Sequence, residues 1–176
     1  NTVDKAKNIY EDSPEWVAQN MRSTRNFIRK WGHFVKHDDF MKPIIPPKYN
    51  VGIRVENCNQ ELLNALEPWC DRIYSDAEWV KYIILEQPNT KFDLRKRCHS
   101  LTEIDKNDYD DILVEVNGNS FNQQDFQIIQ QLPEILQDSG EIGEFRLGNL
   151  GITINSLEEY QNELICVSQL QEVLVL

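Results

Sequence analysis

Apolar residues near the start of the chain are spaced as on one face of a helix, and they predict a helix over residues 12–31. Asp12 or Ser13 can cap its N-terminus, Pro14 suits the first helical position, and Gly32 is a natural stop. The apolar stripe consists of Val17, Met21, Thr24, Ile28 and Trp31. Because such a stripe must be removed from water, we expect the helix to pack against another part of the protein.

The segment after this helix, "PIIPPK" over residues 43–48, is rich in proline. Its prolines disfavour helix and favour extended backbone in the residues that precede them. We therefore predict a linker over these residues. The linker would join an N-terminal basic helical segment, residues 1–42, to an acidic α/β domain, residues 49–176.

From residue 49 the pattern changes to an alternation of strands and helices. Alternating β-branched residues predict strands over 49–56 and 111–116, and apolar residues at helical spacing predict helices over 60–70, 77–87 and 122–140. Shorter predicted elements are a strand over 71–76, a hairpin over 144–154, a helix over 156–164 and a final strand over 171–176. The residues expected to face inward in the helix over 77–87 are Trp79, Val80, Ile83 and Ile84. This order predicts an α/β fold: an N-terminal amphipathic helix plus a mixed-sheet α/β domain with a late antiparallel hairpin.

Charge is distributed unevenly along the chain, whose net charge is −11. Residues 1–54 contain ten Lys or Arg and six Asp or Glu, whereas residues 55–176 contain eight and twenty-three. Because an acidic surface repels phosphate, we expect no nucleic-acid partner. The acidic part is expected to face a basic neighbour, either another protein or the chain's own N-terminal segment.

No run of about 18 apolar residues is present, so we expect no membrane-spanning helix. The first residues are polar, with neither an initiator Met nor the apolar core of a signal peptide. The chain contains four cysteines that form no CxxC pair: Cys58, Cys70, Cys98 and Cys166. Scattered thiols of this kind are typical of a reducing compartment and argue against a structural zinc site, so we expect a cytoplasmic protein.

A basic stripe runs along the first predicted helix beside the apolar one. Its members, which are candidate anion- or partner-binding residues, are Arg22, Arg25, Arg29 and the adjacent Lys30. Guanidinium groups match the oxygens of phosphate, sulfate and carboxylate in a forked geometry. Two other interpretations stay open: a solvated helix face, and contacts with the acidic half of the same chain.

Two small clusters are candidates for metal or catalytic chemistry. His33 and His37, four residues apart and followed by Asp38, could share a helix face and hold a metal. Gly32 ends the helix just before them and no HExxH motif occurs, so we predict no metal site. Asp76 lies at a predicted strand end, where open α/β sheets bind ligands, and is a candidate catalytic carboxylate. It is not accompanied by a GxGxxG or GxxxxGK[ST] phosphate loop.

The sequence "MRSTRNFIRKWG", residues 21–32, resembles the segment that follows the catalytic core in family 2 glycosyltransferases of the GT-A fold. In that family a helix with aromatic and basic residues commonly ends in a Lys-Trp-Gly-like turn. The resemblance implies that the Asp-x-Asp motif and the catalytic base lie upstream, so no catalytic residue is carried over. It leaves open whether a nucleotide sugar and a divalent metal bind an upstream domain, and we expect no cofactor in this chain.

The leading hypothesis is therefore an accessory or C-terminal module of a glycosyltransferase-like protein, with a role in recognition or assembly and not catalytic by itself. Its expected partner is protein, either its own upstream domain or another subunit, and a glycan acceptor is a further ligand class. The alternative is a structural or interaction protein of a viral particle or other large assembly. A third hypothesis is an intact small enzyme that uses Asp76 and a basic clamp.

Overall fold

The computed structural model describes residues 13–103 and 110–159. Its helices are α1 (Pro14–Trp31), α2 (Gln60–Leu66), α3 (Trp79–Glu86), α4 (Gln123–Gln130) and α5 (Leu132–Ser139). Its strands are β1 (Lys36–His37), β2 (Pro43–Ile44), β3 (Val51–Glu56), β4 (Arg72–Ser75), β5 (Cys98–Ser100), β6 (Ile112–Asn117), β7 (Gly143–Leu147) and β8 (Leu150–Ile154). Short 3₁₀ turns cover Glu67–Trp69, Gln87–Asn89, Leu94–Lys96 and Leu101–Glu103.

Helix α1 begins and ends as the sequence predicts. The Ser13 hydroxyl accepts a hydrogen bond from the Trp16 amide at 3.2 Å, and Pro14 takes the first helical position. Gly32 adopts a left-handed conformation with φ of 77°, which lets its amide donate to the Ile28 carbonyl at 2.7 Å. Within the described ranges, no helix has the length and apolar character needed to cross a membrane.

A six-stranded mixed sheet of order β5-β4-β3-β6-β8-β7 forms the centre of the fold. Strands β5, β4, β3 and β6 run parallel, and β8 joins β6 in antiparallel register with Ile112 opposite Ile154. The β7–β8 hairpin completes the sheet. Val51, Ile53 and Val55 lie on one face of β3 and are buried, whereas Arg54 and Glu56 on its other face are only half-buried. The α/β fold with its late hairpin is thus confirmed.

Helix α3 buries only part of the face that its sequence predicts. Val80 and Ile84, expected to point inward, are 56% and 69% exposed. Ile83 is buried as predicted and Trp79 packs partly buried against the core, while Tyr82 and Glu86 are buried in place of the other two. The sequence "WVKYIILE" is apolar on nearly every side, so its spacing cannot select a face, and packing against α2 decides which side is covered.

The apolar stripe of α1 is only partly covered. Ile28 is buried, whereas Val17 and Met21 are 42% and 60% exposed among the described residues. The helix contacts the sheet domain through its C-terminal half, where it packs against the 3₁₀ turn Glu67–Trp69. The described residues therefore leave the N-terminal part of the stripe uncovered.

Several other segments add detail to the prediction or depart from it. The expected linker over 43–48 contains β2, which pairs with β1 as a short antiparallel ribbon. The helical segment predicted over 122–140 is divided at Gln131 into α4 and α5, with Pro133 in the first turn of the second, which is one of the two effects that a proline at this position predicts. Strand β5 lies in a segment without a clear pattern. Residues 156–159, at the start of the helix predicted over 156–164, are not helical. The rest of that predicted helix, the predicted strand over 171–176 and Cys166 lie outside the described residues.

Candidate interaction site

Arg29 lies at the centre of a buried group of charged side chains, although it belongs to the predicted basic stripe. It is 2% exposed. Its Nη2 donates to Glu67 Oε2 at 2.7 Å and to Glu86 Oε1 at 2.9 Å, and its Nε donates to Glu67 Oε2 at 3.0 Å. The Tyr82 hydroxyl donates to the same Glu67 oxygen at 2.7 Å. A buried arginine therefore bonds two carboxylates from distant parts of the chain.

Two further arginines complete what we call the Arg29 cluster: Arg25, Arg29, Glu67, Tyr82, Glu86 and Arg97. Arg97 Nε lies 2.6 Å from Glu67 Oε1, and its Nη2 donates to the Glu67 carbonyl at 3.1 Å. Arg25 forms a forked pair with Glu86 through contacts of 2.7 and 2.9 Å. The cluster joins four parts of the chain: helix α1, the 3₁₀ turn that follows α2, helix α3, and the residue that precedes β5. It therefore connects the N-terminal helix to the sheet domain.

Interactions within the cluster favour the charged forms of Arg29 and Glu67. Burial alone would lower the pKa of Arg29, but the hydrogen bond and charge of Glu67 raise it above the usual arginine value. Burial alone would raise the pKa of Glu67, yet the charges and hydrogen bonds of Arg97 and Arg29 hold it below its ordinary value. Burial and the neighbouring Glu67 charge raise the pKa of Tyr82, which stays protonated and can donate.

The structure brings only part of the predicted basic stripe together. Arg25 and Arg29 bond carboxylates of the chain's own acidic part, one of the interpretations that the sequence leaves open. Arg22 and Lys30 are half-buried outside the cluster, and Lys30 Nζ lies 5.4 Å from the centre of the Trp31 ring. A free anion would have to displace Glu67 or Glu86 to reach the Arg29 guanidinium.

The histidine and aspartate candidates are spread over different surroundings. His33 is buried, whereas His37 lies exposed on β1. Asp38 Oδ1 accepts the amides of Phe40 and Lys42 at 2.9 Å each, as in a tight turn. In residues 13–103 and 110–159, no group of three or more His, Cys, Asp or Glu side chains is arranged to hold a metal ion.

A groove of about 760 Å³ lies beside the cluster, between α1 and the pair α2 and α3. Met21 and Leu85, which contribute apolar surface to it, are 60% and 65% exposed. Carboxamide groups in its wall come from Asn20, Gln60, Asn64 and Asn89. Its size is within the range of small-ligand pockets, and its mixed apolar and amide surface also fits a protein partner.

Asp76 occupies the carboxyl end of the parallel strands, where nucleotides bind in many α/β proteins. Its carboxylate accepts the backbone amides of Asn57 and Cys58 at 2.8 Å each, just after β3. Asn57 also donates to the side chain of Asn117, the last residue of β6, and a side chain at Gly118 would collide with the Asn57 carbonyl. The amides that could cradle a phosphate at this position are therefore used by the protein's own carboxylate.

Sequence reasoning missed Glu67, Glu86, Tyr82 and Arg97. One signal was present: Glu67 follows Leu63 and Leu66 at the spacing of a buried helix face. Glu86 follows Tyr82 and Ile83 in the same way. A carboxylate at an apolar-face position indicates a buried acid that needs a cationic partner.

Comparisons with known proteins add no family to this geometry. No protein family profile matches the chain, and neither a curated protein nor a solved structure matches it at a significant level. The features from which we infer a function are therefore the Arg29 cluster, the groove beside it and the surroundings of Asp76.

Proposed function

We propose that this chain is an accessory, non-catalytic module of a glycosyltransferase-like protein, with a role in recognition or assembly. The observation that carries the proposal is the Arg29 cluster. Residues 21–32, which resemble the segment after a glycosyltransferase core, contribute Arg25 and Arg29 to buried pairs with Glu86 and Glu67. A helix fixed in this way suits a connecting element that holds a catalytic core in a defined orientation to the α/β domain.

The surroundings of Asp76 support a non-catalytic role. In nucleotide-binding α/β proteins the loop after the first strand offers its amides to phosphate. Here the amides of Asn57 and Cys58 bond the Asp76 carboxylate instead. A phosphate at this position would meet a negative charge, which disfavours the third hypothesis of a small enzyme based on Asp76.

The partner that we propose is the domain preceding α1 in the same protein. Trp16, Val17 and Met21, on the N-terminal half of α1, keep 46%, 42% and 60% of their surface exposed. They adjoin the point at which a preceding domain would connect, and Met21 also lines the groove. Exposed apolar surface of this kind is commonly covered by a partner.

The proposal is tested with the isolated chain and a panel of UDP- and GDP-sugars in the presence of manganese. We expect no change in thermal stability with any of them, because their binding site would lie in the upstream domain. Clear stabilisation by one nucleotide sugar would overturn the non-catalytic assignment. The coding sequence upstream of Asn1 provides a second test, since we expect it to encode an Asp-x-Asp motif after a strand.

A structural or interaction protein of a viral particle or other large assembly is the second candidate function. The same exposed face of α1, with Val17 and Met21, favours it because a helix of this kind can dock on another subunit. Size-exclusion chromatography with light scattering separates the candidates. Concentration-dependent assembly of the isolated chain would support this function, and a strict monomer at high concentration would count against it.

A further inference from the structure

Strand β7, the last strand at one edge of the six-stranded sheet, has no partner on its outer side within the described ranges. The turn that joins it to β8 has two residues, so Leu147 and Leu150 on either side of the turn exchange both of their backbone hydrogen bonds. Because these bonds alternate along an antiparallel pair, the backbone groups of Phe145 point towards β8, and those of Glu144 and Arg146 point outward. An unpaired edge of this kind can bind another strand.

Apolar surface lies along this edge on the side of the sheet that carries α5. A crevice of about 110 Å³ opens between α5 and the β7–β8 hairpin, and its lining is almost entirely apolar. Phe145, which lines the crevice, is 41% exposed, and Ile142, just before β7, is 71% exposed. An edge that combines unpaired backbone groups with exposed apolar side chains is the kind of surface to which a partner adds a strand.

The opposite face of β7 carries two opposite charges. Glu144 and Arg146 are both exposed, and the alternation of side chains along a strand places them on the same face. Arg146 is the only Lys or Arg among residues 107–176. In the described ranges neither side chain forms an ion pair, and Glu115, which lines the same surface hollow, pairs with Arg54 at 3.3 Å instead. Both charges of β7 can therefore pair with charges of a partner.

The sequence of β7 is complementary to a second copy of itself. Charged side chains on an edge strand commonly discourage pairing, and like charges directly opposite each other destabilise it. In an antiparallel pair of two β7 strands centred on Phe145, however, Glu144 of each copy lies opposite Arg146 of the other. This register also joins the backbone groups that point outward and places the two Phe145 side chains opposite each other. A shift by two residues would place Glu144 opposite Glu144 or Arg146 opposite Arg146.

We propose that two copies of this chain form a dimer through the outer edges of β7, in antiparallel register centred on Phe145. A two-fold axis perpendicular to the sheet relates the copies, so the two sheets become one continuous sheet and both helix layers stay on the same side. Because each copy has a single β7 edge, the contact closes on itself and gives a dimer and not a chain of copies. It uses no residue of α1, of the groove or of the Arg29 cluster, so it is independent of the proposed function.

Light scattering after size-exclusion chromatography, at protein concentrations up to about 1 mM, tests the proposal through charge reversal. We expect the unmodified chain to dimerise. Glu144→Lys and Arg146→Glu each place like charges opposite each other in both cross-strand pairs, so each should weaken dimerisation at least about tenfold. The double variant restores opposite charges and should restore the dimer. A strict monomer, unchanged dimerisation of either single variant, or a double variant as weak as the single ones would overturn the proposal.

An equimolar mixture of the two single variants tests the register. It should contain a heterodimer, because the side chain at position 144 of each chain then faces an opposite charge at position 146 of the other. A mixture that stays monomeric would contradict the register. Met21→Glu, on the exposed face of α1, is the control and should leave dimerisation unchanged. Loss of the dimer in this variant would locate the contact on α1 and overturn the proposal.

Hydrogen exchange of the unmodified protein separates a second copy from another segment of the same chain as the occupant of the edge. The amides of Glu144 and Arg146 should be protected where the dimer forms and exchange rapidly on dilution. The Phe145 amide, which is bonded to β8, should stay protected at both concentrations. Protection of Glu144 and Arg146 that does not depend on concentration would indicate a segment of the same chain and would overturn the proposal, as would rapid exchange of both amides at every concentration.

Discussion

Arg29 and His33 are four residues apart in sequence, one before and one after the stop at Gly32, and both are 2% exposed, but their polar atoms have opposite surroundings. The Arg29 guanidinium bonds Glu67, Glu86 and the Tyr82 hydroxyl. His33 bonds the Phe34 carbonyl through Nδ1, and its Nε2 has no partner in the described ranges. Burial alone does not indicate function: a fully paired buried charge holds the fold together, whereas a buried acceptor without a partner contributes no such bond.

The difference arises from the elements that each residue faces. Arg29 points towards the acidic sheet domain, where α2 and α3 each end near a buried glutamate. His33 comes after the stop at Gly32 and packs among apolar side chains of the β1–β2 ribbon segment, none of which offers a donor to Nε2. A single segment of chain therefore contains both a fully paired buried charge and a buried acceptor without a partner in the described ranges.

The largest expected effect on stability comes from removing the central arginine of the Arg29 cluster. Arg29→Met would leave Glu67 buried without one of its two arginine partners, which should lower the free energy of unfolding by about 3–5 kcal/mol. Urea unfolding measures the change. Arg22→Met is the matched control on the same helix, with an expected change of at most about 0.5 kcal/mol. Equal effects of the two substitutions would show that the cluster does not hold α1 in place.

A smaller effect is expected when only one hydroxyl is removed from the cluster. Tyr82→Phe deletes the donor to Glu67 and should lower the free energy of unfolding by about 1.5–3 kcal/mol, typical of a bond to a charged group. Tyr49→Phe is the control, because Tyr49 is also buried but lies outside the cluster. A loss as large at Tyr49 as at Tyr82 would contradict the special role of the Glu67 bond.

His33→Phe should change stability less than either cluster substitution. It removes the bond from Nδ1 to the Phe34 carbonyl, which destabilises, but it also removes an unsatisfied acceptor, which stabilises. The two effects are opposed, so we expect a net change within about 1 kcal/mol by urea unfolding. A loss equal to that of Arg29→Met would mean that His33 is a structural residue of the same kind.

The smallest expected effect is the contribution of His33 to the pH dependence of the free energy of unfolding. Its pKa in the folded protein is below its ordinary value, so the unfolded chain binds the proton more readily. Its contribution to stability should be complete above about pH 6.5, the ordinary histidine pKa, and should be lost as the pH falls through the folded pKa. The difference between the unmodified protein and His33→Phe, measured by urea unfolding from pH 8 to 5, isolates this contribution. A difference that grows in favour of the unmodified protein at low pH would contradict the sign.

Much of the fold could be predicted from local signals. Ser13, Pro14 and Gly32 mark the ends of α1, and the Gly148-Asn149 turn marks the β7–β8 hairpin, because caps and turns depend on neighbouring residues. Strand β5 could not be predicted, since three residues at a sheet edge carry too little pattern. The exposure of Val80 depends on which side of α3 meets α2, and this is decided by contacts distant in sequence.

The candidate sites were harder to predict for the same reason. The basic stripe indicated that Arg25 and Arg29 seek negative partners, but not that Glu67 and Glu86 provide them, because those residues lie 38 and 57 positions from Arg29. The spacing of His33 to His37 makes it a candidate metal ligand in the sequence. Its actual surroundings depend on the β1–β2 ribbon, which folds back over the end of α1 and whose two-residue strands leave no pattern in the sequence.

Native-state hydrogen exchange tests most directly the central claim that α1 and the sheet domain form one cooperative unit. We predict that the amides of α1 near Arg29 open with nearly the same free energy as those of Ile53 in β3 and Val114 in β6. Arg29→Met should lower the protection in α1 before it affects the central strands. Rapid exchange near Arg29 in the unmodified protein, with full protection of Ile53 and Val114, would show a helix that detaches freely and would contradict the account.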